Sequence, residues 1–271
     1  MNKIFKGIAY RLRRHQVAEN NPYQLTVLKE IILKHQEPSG IRNIRIGRHR
    51  LFYENPLELY HSYKEIFLQE IYDFVALSST PTIIDCGANM GIGVCYFSDK
   101  YPGARIIAFE PDSKNFELLK RNVPATANIT LNNQAVWIDN GAIHFEQTGT
   151  LSSKIAGEGN EGGSGISVPC VRLADQLTEK VDMLKIDIEG AEYEVLKDCI
   201  PYLNNVANMF VEYHGTVDDT GRLTELLDIM KNAGFCVYIK MANDLFAKPF
   251  IEKRPPVPGF EVQLNIFCYR D

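Results

Sequence analysis

The chain of 271 residues is 45% hydrophobic and 23% charged, with a formal net charge of -5, enough apolar material for one sizeable core and a modest appendage. The acidic balance carries no polyanion-binding signature, so no nucleic-acid partner is expected and a small molecule or glycan is the easier substrate. No apolar run reaches the ~18 residues a membrane span needs, and the basic start lacks the apolar stretch of a secretory signal, so the expected location is cytoplasmic.

Residues 1–16 place Ile4, Phe5, Ile8 and Leu12 at helical spacing among Lys3, Lys6, Arg11, Arg13 and Arg14. A basic helix packed on the domain or on a dimer partner explains this pattern and allows a homo-oligomer; weak contact with an anionic membrane surface is the other reading. A second helical pattern covers 23–35 and is broken by Pro38-Ser39-Gly40. Residues 41–53 read as a hairpin with Gly47 at or near its turn, and 56–77 as a helical run leading into the core fold.

Thr82, Ile83 and Ile84 then form a buried strand, residues 87–91 a tight turn, and Val94, Cys95 and Phe97 the apolar face of a helix. In an open α/β sheet such a turn lies at the carboxyl end of a strand, where ligands bind. Gly87 and Gly91 allow positive φ and close backbone approach, and Asn89 tolerates the left-handed region. A dinucleotide fingerprint would need glycine at Asn89, so an NAD(P)-linked oxidoreductase is the second reading.

Residues 105–109 are the second strand, ending in Glu110, an exposed strand-end acid whose two oxygens suit a ribose diol; Asp112 suits the N-terminus of the next helix, 113–122. A third strand falls within 129–136, followed by a hairpin turning at Asp139-Asn140-Gly141. The glycine-rich stretch 157–165 reads as a surface loop or lid, and 168–177 leads back into the core.

Residues 183–186 form a fourth strand that brings Asp187 to the ligand edge, with Lys185 and Asp187 on one face and Glu189 continuing it. A local pair of Lys185 with Asp187 is the plain reading, but charged residues at an apolar strand end are costly unless solvated, paired or used, and a functional role is the expectation for Asp187 and Glu189. Glu192 simply complements the following helix N-terminus. The fifth strand, 206–214, ends with Glu212 and His214 at equal parity, so both can face one side beside Asp187. A helix at 223–231, a sixth strand at 235–240, a proline-stiffened loop at 247–260 and a seventh strand at 263–269 complete the chain. The six cysteines, at 86, 95, 170, 199, 236 and 268, make no C-x-x-C or zinc spacing and read mostly as reduced core residues.

Two segments, D-x-G-A-N-x-G from Asp85 and K-I-D-I-E-G-A-E from Lys185, resemble the FkbM family of class I methyltransferases. The resemblance implies an α/β, Rossmann-like fold over residues 79–271, with a seven-stranded, mostly parallel sheet and an antiparallel last strand. Residues 1–78 are then an N-terminal cap of helices and a short hairpin on the substrate side of the cleft.

It also implies S-adenosylmethionine (SAM) as cofactor, held by Asp85, Gly87, Asn89, Gly91 and Glu110, with Ala135 and Val136 flanking the adenine. The expected reaction is O-methylation of a sugar, glycan or secondary metabolite; a non-catalytic SAM-binding protein is a further alternative. His214, Asp187, Glu189 and Glu212 are the catalytic candidates, with His214 as general base. Asp187, Glu189 and Glu212 offer oxygen ligands to a Mg²⁺-like ion.

Overall fold

A computed structural model describes residues 21–145, 166–243, 245–246, 248–252 and 259–270. The amphipathic pattern at 1–16, the glycine-rich stretch and the prolines at 255, 256 and 258 lie outside them.

The N-terminal part begins with α1 (Val27–His35), capped by the Thr26 hydroxyl, and a hairpin of β1 (Arg42–Ile46) and β2 (His49–Tyr53). Gly47 turns the hairpin at φ +55°. α2 (Pro56–Ser62) starts on proline, with Asn55 accepting from the Leu57 and Glu58 amides, and passes directly into a π-helical segment, Tyr63–Leu68.

The helical run expected to reach residue 77 ends there. Glu70 takes a left-handed φ of +51°, and the chain leaves the helix so that Tyr72 packs against Phe97 and Phe210. Burial of that aromatic ring replaces further helical periodicity, while Val75 and Leu77 remain exposed.

The main sheet has the order β11-β12-β10-β9-β3-β4-β5. Its strands are β3 (Thr82–Cys86), β4 (Arg105–Phe109), β5 (Ile129–Asn132), β9 (Val181–Ile186), β10 (Val206–Gly215), β11 (Cys236–Met241) and β12 (Val262–Tyr269). The pairs among β5, β4, β3, β9 and β10 are parallel, and β12 runs antiparallel to both neighbours. This is the doubly wound sheet with a reversed last strand. β9 is buried along its whole length, as a strand covered on both faces must be. Helices α3 (Ile92–Lys100), α4 (Ser113–Asn122), α5 (Glu192–Cys199) and α6 (Thr220–Asn232) provide the covering layers.

The segment read as one third strand divides. β5 stays in the main sheet, whereas β6 (Ala135–Trp137) joins a second sheet of order β6-β8-β7, with β7 (Gly141–Phe145) and β8 (Ile166–Arg172). The expected hairpin after Trp137 is corrected too: β8 lies between β6 and β7, pairing with both. Asn140 fixes this arrangement by accepting from the Arg172 amide and donating to Asp175.

One apolar cluster joins the N-terminal elements to α3 and one face of the sheet, through Tyr63, Phe67, Tyr96 and Phe210; the other contains β6, α5 and α6. None of the six cysteines is in a disulfide; five are buried and Cys236 is exposed. No helix among the described residues is long and apolar enough to cross a membrane.

Candidate active site

The two sequence motifs meet because β3 and β9 are neighbours, with Asp85 opposite Lys185. Lys185 is buried; its ammonium lies 3.2 Å from Asp85 and 3.3 Å from Asp187 and donates to the Gly87 carbonyl at 2.7 Å. Burial opposes its charge, but Asp85 and Asp187 outweigh that and push its pKa up. The Lys185–Asp187 pair is thus half of a larger arrangement. Asp85 Oδ2 has no hydrogen-bond partner among the described residues.

The turn after β3 takes φ values of +82° at Gly87, +49° at Asn89 and +88° at Gly91. Its glycines serve the protein's own packing. A β-carbon at Gly87 would lie 1.8 Å from the Asp187 carbonyl oxygen, and one at Gly91 would lie 2.5 Å from Leu119 on α4. The close approach present here is that of the backbone following β9.

Glu110 departs from the expected exposed acid: it is 5% exposed. Its two oxygens accept from the backbone of Asn89 at 2.7 Å and of Asp112 at 2.8 Å, so it fastens the end of β4 to the turn. Burial pushes its pKa up to about 7 against the pull of those amides. Asp112 caps α4 by accepting from Lys114 and Asn115, as expected. Glu58 on α2 accepts from the Asn89 side chain at 2.7 Å, bringing the N-terminal part to the turn. Ala135 and Val136 are buried on β6, in the second sheet.

Farther along the same edge, Asp187, Glu212 and His214 each place one ligand-capable atom within 4.8 Å of the others. Asp187 follows β9, and Glu212 and His214 share a face of the adjacent β10. His214 Nε2 lies 3.7 Å from both Glu189 and Glu212. Histidine therefore stands in the ligand trio where sequence reasoning had Glu189, whose side chain is 61% exposed. Glu189 takes a costly left-handed φ of +56° at the mouth of the site, and Gly190 follows at φ +99°, which glycine adopts freely. The Phe260 ring covers it, packing on Gly190 and 5.0 Å from the His214 ring.

Glu192 is the residue that helix-terminus reasoning missed. It is fully buried, accepts from the Ile188 and Gly190 amides, and lies 3.1 Å from His214 Nδ1. The correction has a physical reason: β10 returns beside the start of α5, and a carboxylate buried there needs a cationic or donor partner. Burial opposes charge on His214, yet the hydrogen bond and field of Glu192, with Glu189 and Asp187, push its pKa up to about 9. Burial and Asp187 push Glu212 up to about 7.

Glu65, on the π-helical segment, is a second missed residue, within electrostatic reach of Asp187 and Glu212. The only available sequence signal was a carboxylate inside an apolar helical run. Across the sheet Glu212 is registered with Asn265, and Asn265 with Lys240.

The family model for the methyltransferase FkbM domain matches residues 85–237, more than half of the chain. The chain belongs to the FkbM methyltransferase family. The matched span runs from the first residue of the β3 turn motif into β11 and contains every strand-end acid described above. A methyltransferase from Sordaria araneosa, sdnD, is 30% identical over 217 residues, 66% of this chain and 83% of that protein. The hexuronic acid methyltransferase AglP of Haloferax volcanii is 31% identical over 156 residues, 54% of this chain and 61% of its own length. A crystal structure of an FkbM methyltransferase from Methylobacillus flagellatus has 15% identity and a TM-score of 0.46, over 79% of this chain and 54% of that one.

The enzyme is a SAM-dependent methyltransferase, and the ligand edge fits that donor chemically. The sulfonium is a cation, and here Asp85, Asp187, Glu189 and Glu212 converge around Lys185 and His214. The family match sets aside the oxidoreductase reading.

Proposed function

We propose that this enzyme O-methylates a hydroxyl of a sugar, glycan or secondary metabolite, with Asp187, Glu212 and His214 as the proton-handling centre. The observation that carries the reading is the convergence of that trio beside the β3 turn, with His214 held from behind by buried Glu192. The hexuronic acid specificity named for the Haloferax volcanii relative supports a sugar acceptor. Residues 1–78 form the cap on the acceptor side and 79–271 the methyltransferase domain, supported by the contact of Glu58 with Asn89 and by the electrostatic reach of Glu65 to Glu212. Asp85, Gly87, Asn89, Gly91 and Glu110 hold the donor, with Ala135 and Val136 at the adenine. A cytoplasmic enzyme fits the absence of a membrane-spanning helix among the described residues.

An alcohol loses its proton only as the new bond forms, so a base must stand ready. With a pKa of about 9, His214 carries a proton at neutral pH. Positive charge entering among Asp187, Glu189 and Glu212 offsets the field that holds this proton. The sulfonium brings such charge, and two carboxylates with an imidazole also form a donor set for a divalent cation. That cation, when bound, would lower the pKa of an acceptor hydroxyl. Asp187 and Glu212 would hold it and His214 would complete its ligand set.

Incubation of methyl-labelled SAM with host extract, with and without chelator, tests both levels. A labelled hydroxylated product is expected. Labelling that resists chelator assigns proton removal to the side chains of the trio without metal, and loss restored by Mg²⁺ or Mn²⁺ assigns the trio to a metal. Label appearing only on nitrogen or carbon would overturn the O-methylation reading.

A further inference from the structure

Tyr72 is a buried phenol that the folding argument leaves without a hydrogen-bonding role. It is 4% exposed, and its phenol lies in the field of Lys185, Asp187, Asp85 and Glu212. The ring is fixed on two sides, stacked on Phe97 at 5.8 Å and edge-on to Phe210 at 4.9 Å.

Those neighbours place it over one row of the sheet, because Phe210 is registered with Lys185 and Lys185 with Asp85. At Gly93 a β-carbon would stand 3.1 Å from Asp85 Oδ2 and 3.7 Å from Cε2 of Tyr72. Tyr72 therefore bridges the β3 turn, where the donor is held, and the next row of the same face, which begins with Asp187 and Glu212. Burial pushes its pKa well up, with Lys185 opposing and Asp187, Asp85 and Glu212 adding, so the hydroxyl stays neutral.

A neutral hydroxyl has one proton to give and two lone pairs to offer. An ionised carboxylate is an acceptor only and can take the proton. The lone pairs are then available to a positively charged group that has no proton of its own to donate. A methyl sulfonium is such a group, and its demethylated product, a neutral thioether, is not.

We propose that Tyr72 is a donor-binding residue whose phenolic oxygen faces the methyl sulfonium and distinguishes SAM from S-adenosylhomocysteine. This assignment rests on the SAM-binding reading of the β3 turn. It gives the segment after the π-helix a task in the reaction: favouring the loaded donor over the spent one. It also explains why the helical run stops at Leu68, since only departure from the helix brings Tyr72 onto the sheet.

The test is calorimetric titration of wild type and Tyr72→Phe with SAM and, separately, with S-adenosylhomocysteine, alongside thermal melts. Phenylalanine keeps both ring contacts, so the fold is expected to hold. The expected result is a loss of SAM affinity of about three- to tenfold, the range of one hydrogen-bond-sized interaction, with affinity for S-adenosylhomocysteine unchanged. Equal losses for both ligands would make Tyr72 a structural residue and overturn the proposal, as would no change for either. A wild-type protein that binds neither ligand would remove the donor-site reading itself, a different failure from a selective protein whose selectivity survives Tyr72→Phe. If Tyr72→Phe melts early, Tyr72→Leu repeats the comparison and the wild-type affinities for the two ligands are compared directly; equal loss for both ligands in the variant, or a wild type that does not prefer SAM, overturns it.

Discussion

Lys185 donates to the carbonyl of Gly87 over 2.7 Å, while the backbone carbonyl of Asp187 closes on the same glycine from β9. Two segments 98 residues apart in the chain are thereby one joint: the turn after β3 cannot move without the segment that carries Asp187. A buried ammonium shared by two carboxylates and a carbonyl holds its position because each partner would be costly to leave alone.

Gly87→Ala tests that joint. The new β-carbon would meet the Asp187 carbonyl oxygen at 1.8 Å, at a φ of +82°. Left-handed backbone alone costs a non-glycine residue about 1–2 kcal/mol, and backbone overlap adds to it, so a loss of more than about 3 kcal/mol in urea unfolding is expected. A variant within about 0.5 kcal/mol of wild type would show that β3 and β9 are not so tightly joined.

Glu192→Gln removes the carboxylate behind His214. NMR titration of the imidazole is expected to move from about 9 toward the ordinary value of about 6.5. Because the folded pKa is raised, the stabilisation is complete below pH ~6.5 and is lost as pH rises through about 9. Wild type should therefore lose on the order of 2–3 kcal/mol over that window relative to the variant. Parallel stability curves for the two proteins would contradict the role given to Glu192.

Glu110→Ala should cost fold as well as donor binding. It leaves the Asn89 and Asp112 amides without their acceptor, a loss of about 1–3 kcal/mol in melts, and weakens SAM binding by calorimetry. The pKa of Glu110 is raised to about 7, so its stabilising effect is fully present below pH ~4.5 and fades as pH rises toward 7. The gap between wild type and variant should therefore narrow over that range. A normally stable variant with full SAM affinity would remove Glu110 from both roles.

The sequence by itself determined the order of the main-sheet strands along the chain, the left-handed Asn89, the Asp112 cap and the parity that sets Glu212 and His214 on one face. These are local consequences of periodicity, backbone preference and short side-chain reach, and the D-x-G-A-N-x-G segment carried the family with them. Only the tertiary structure decided which groups meet. That Glu192 lies buried against His214 depends on β10 returning beside α5, and that β8 separates β6 from β7 depends on a pairing no short window contains. The early end of the π-helical segment belongs there too: its apolar spacing continues past Leu68, but the gain from burying Tyr72 between Phe97 and Phe210 comes from residues far along the chain. Burial likewise set the charges. Whether Glu110 is an exposed acid or one with a pKa near 7 is fixed by how much water the folded chain leaves around it.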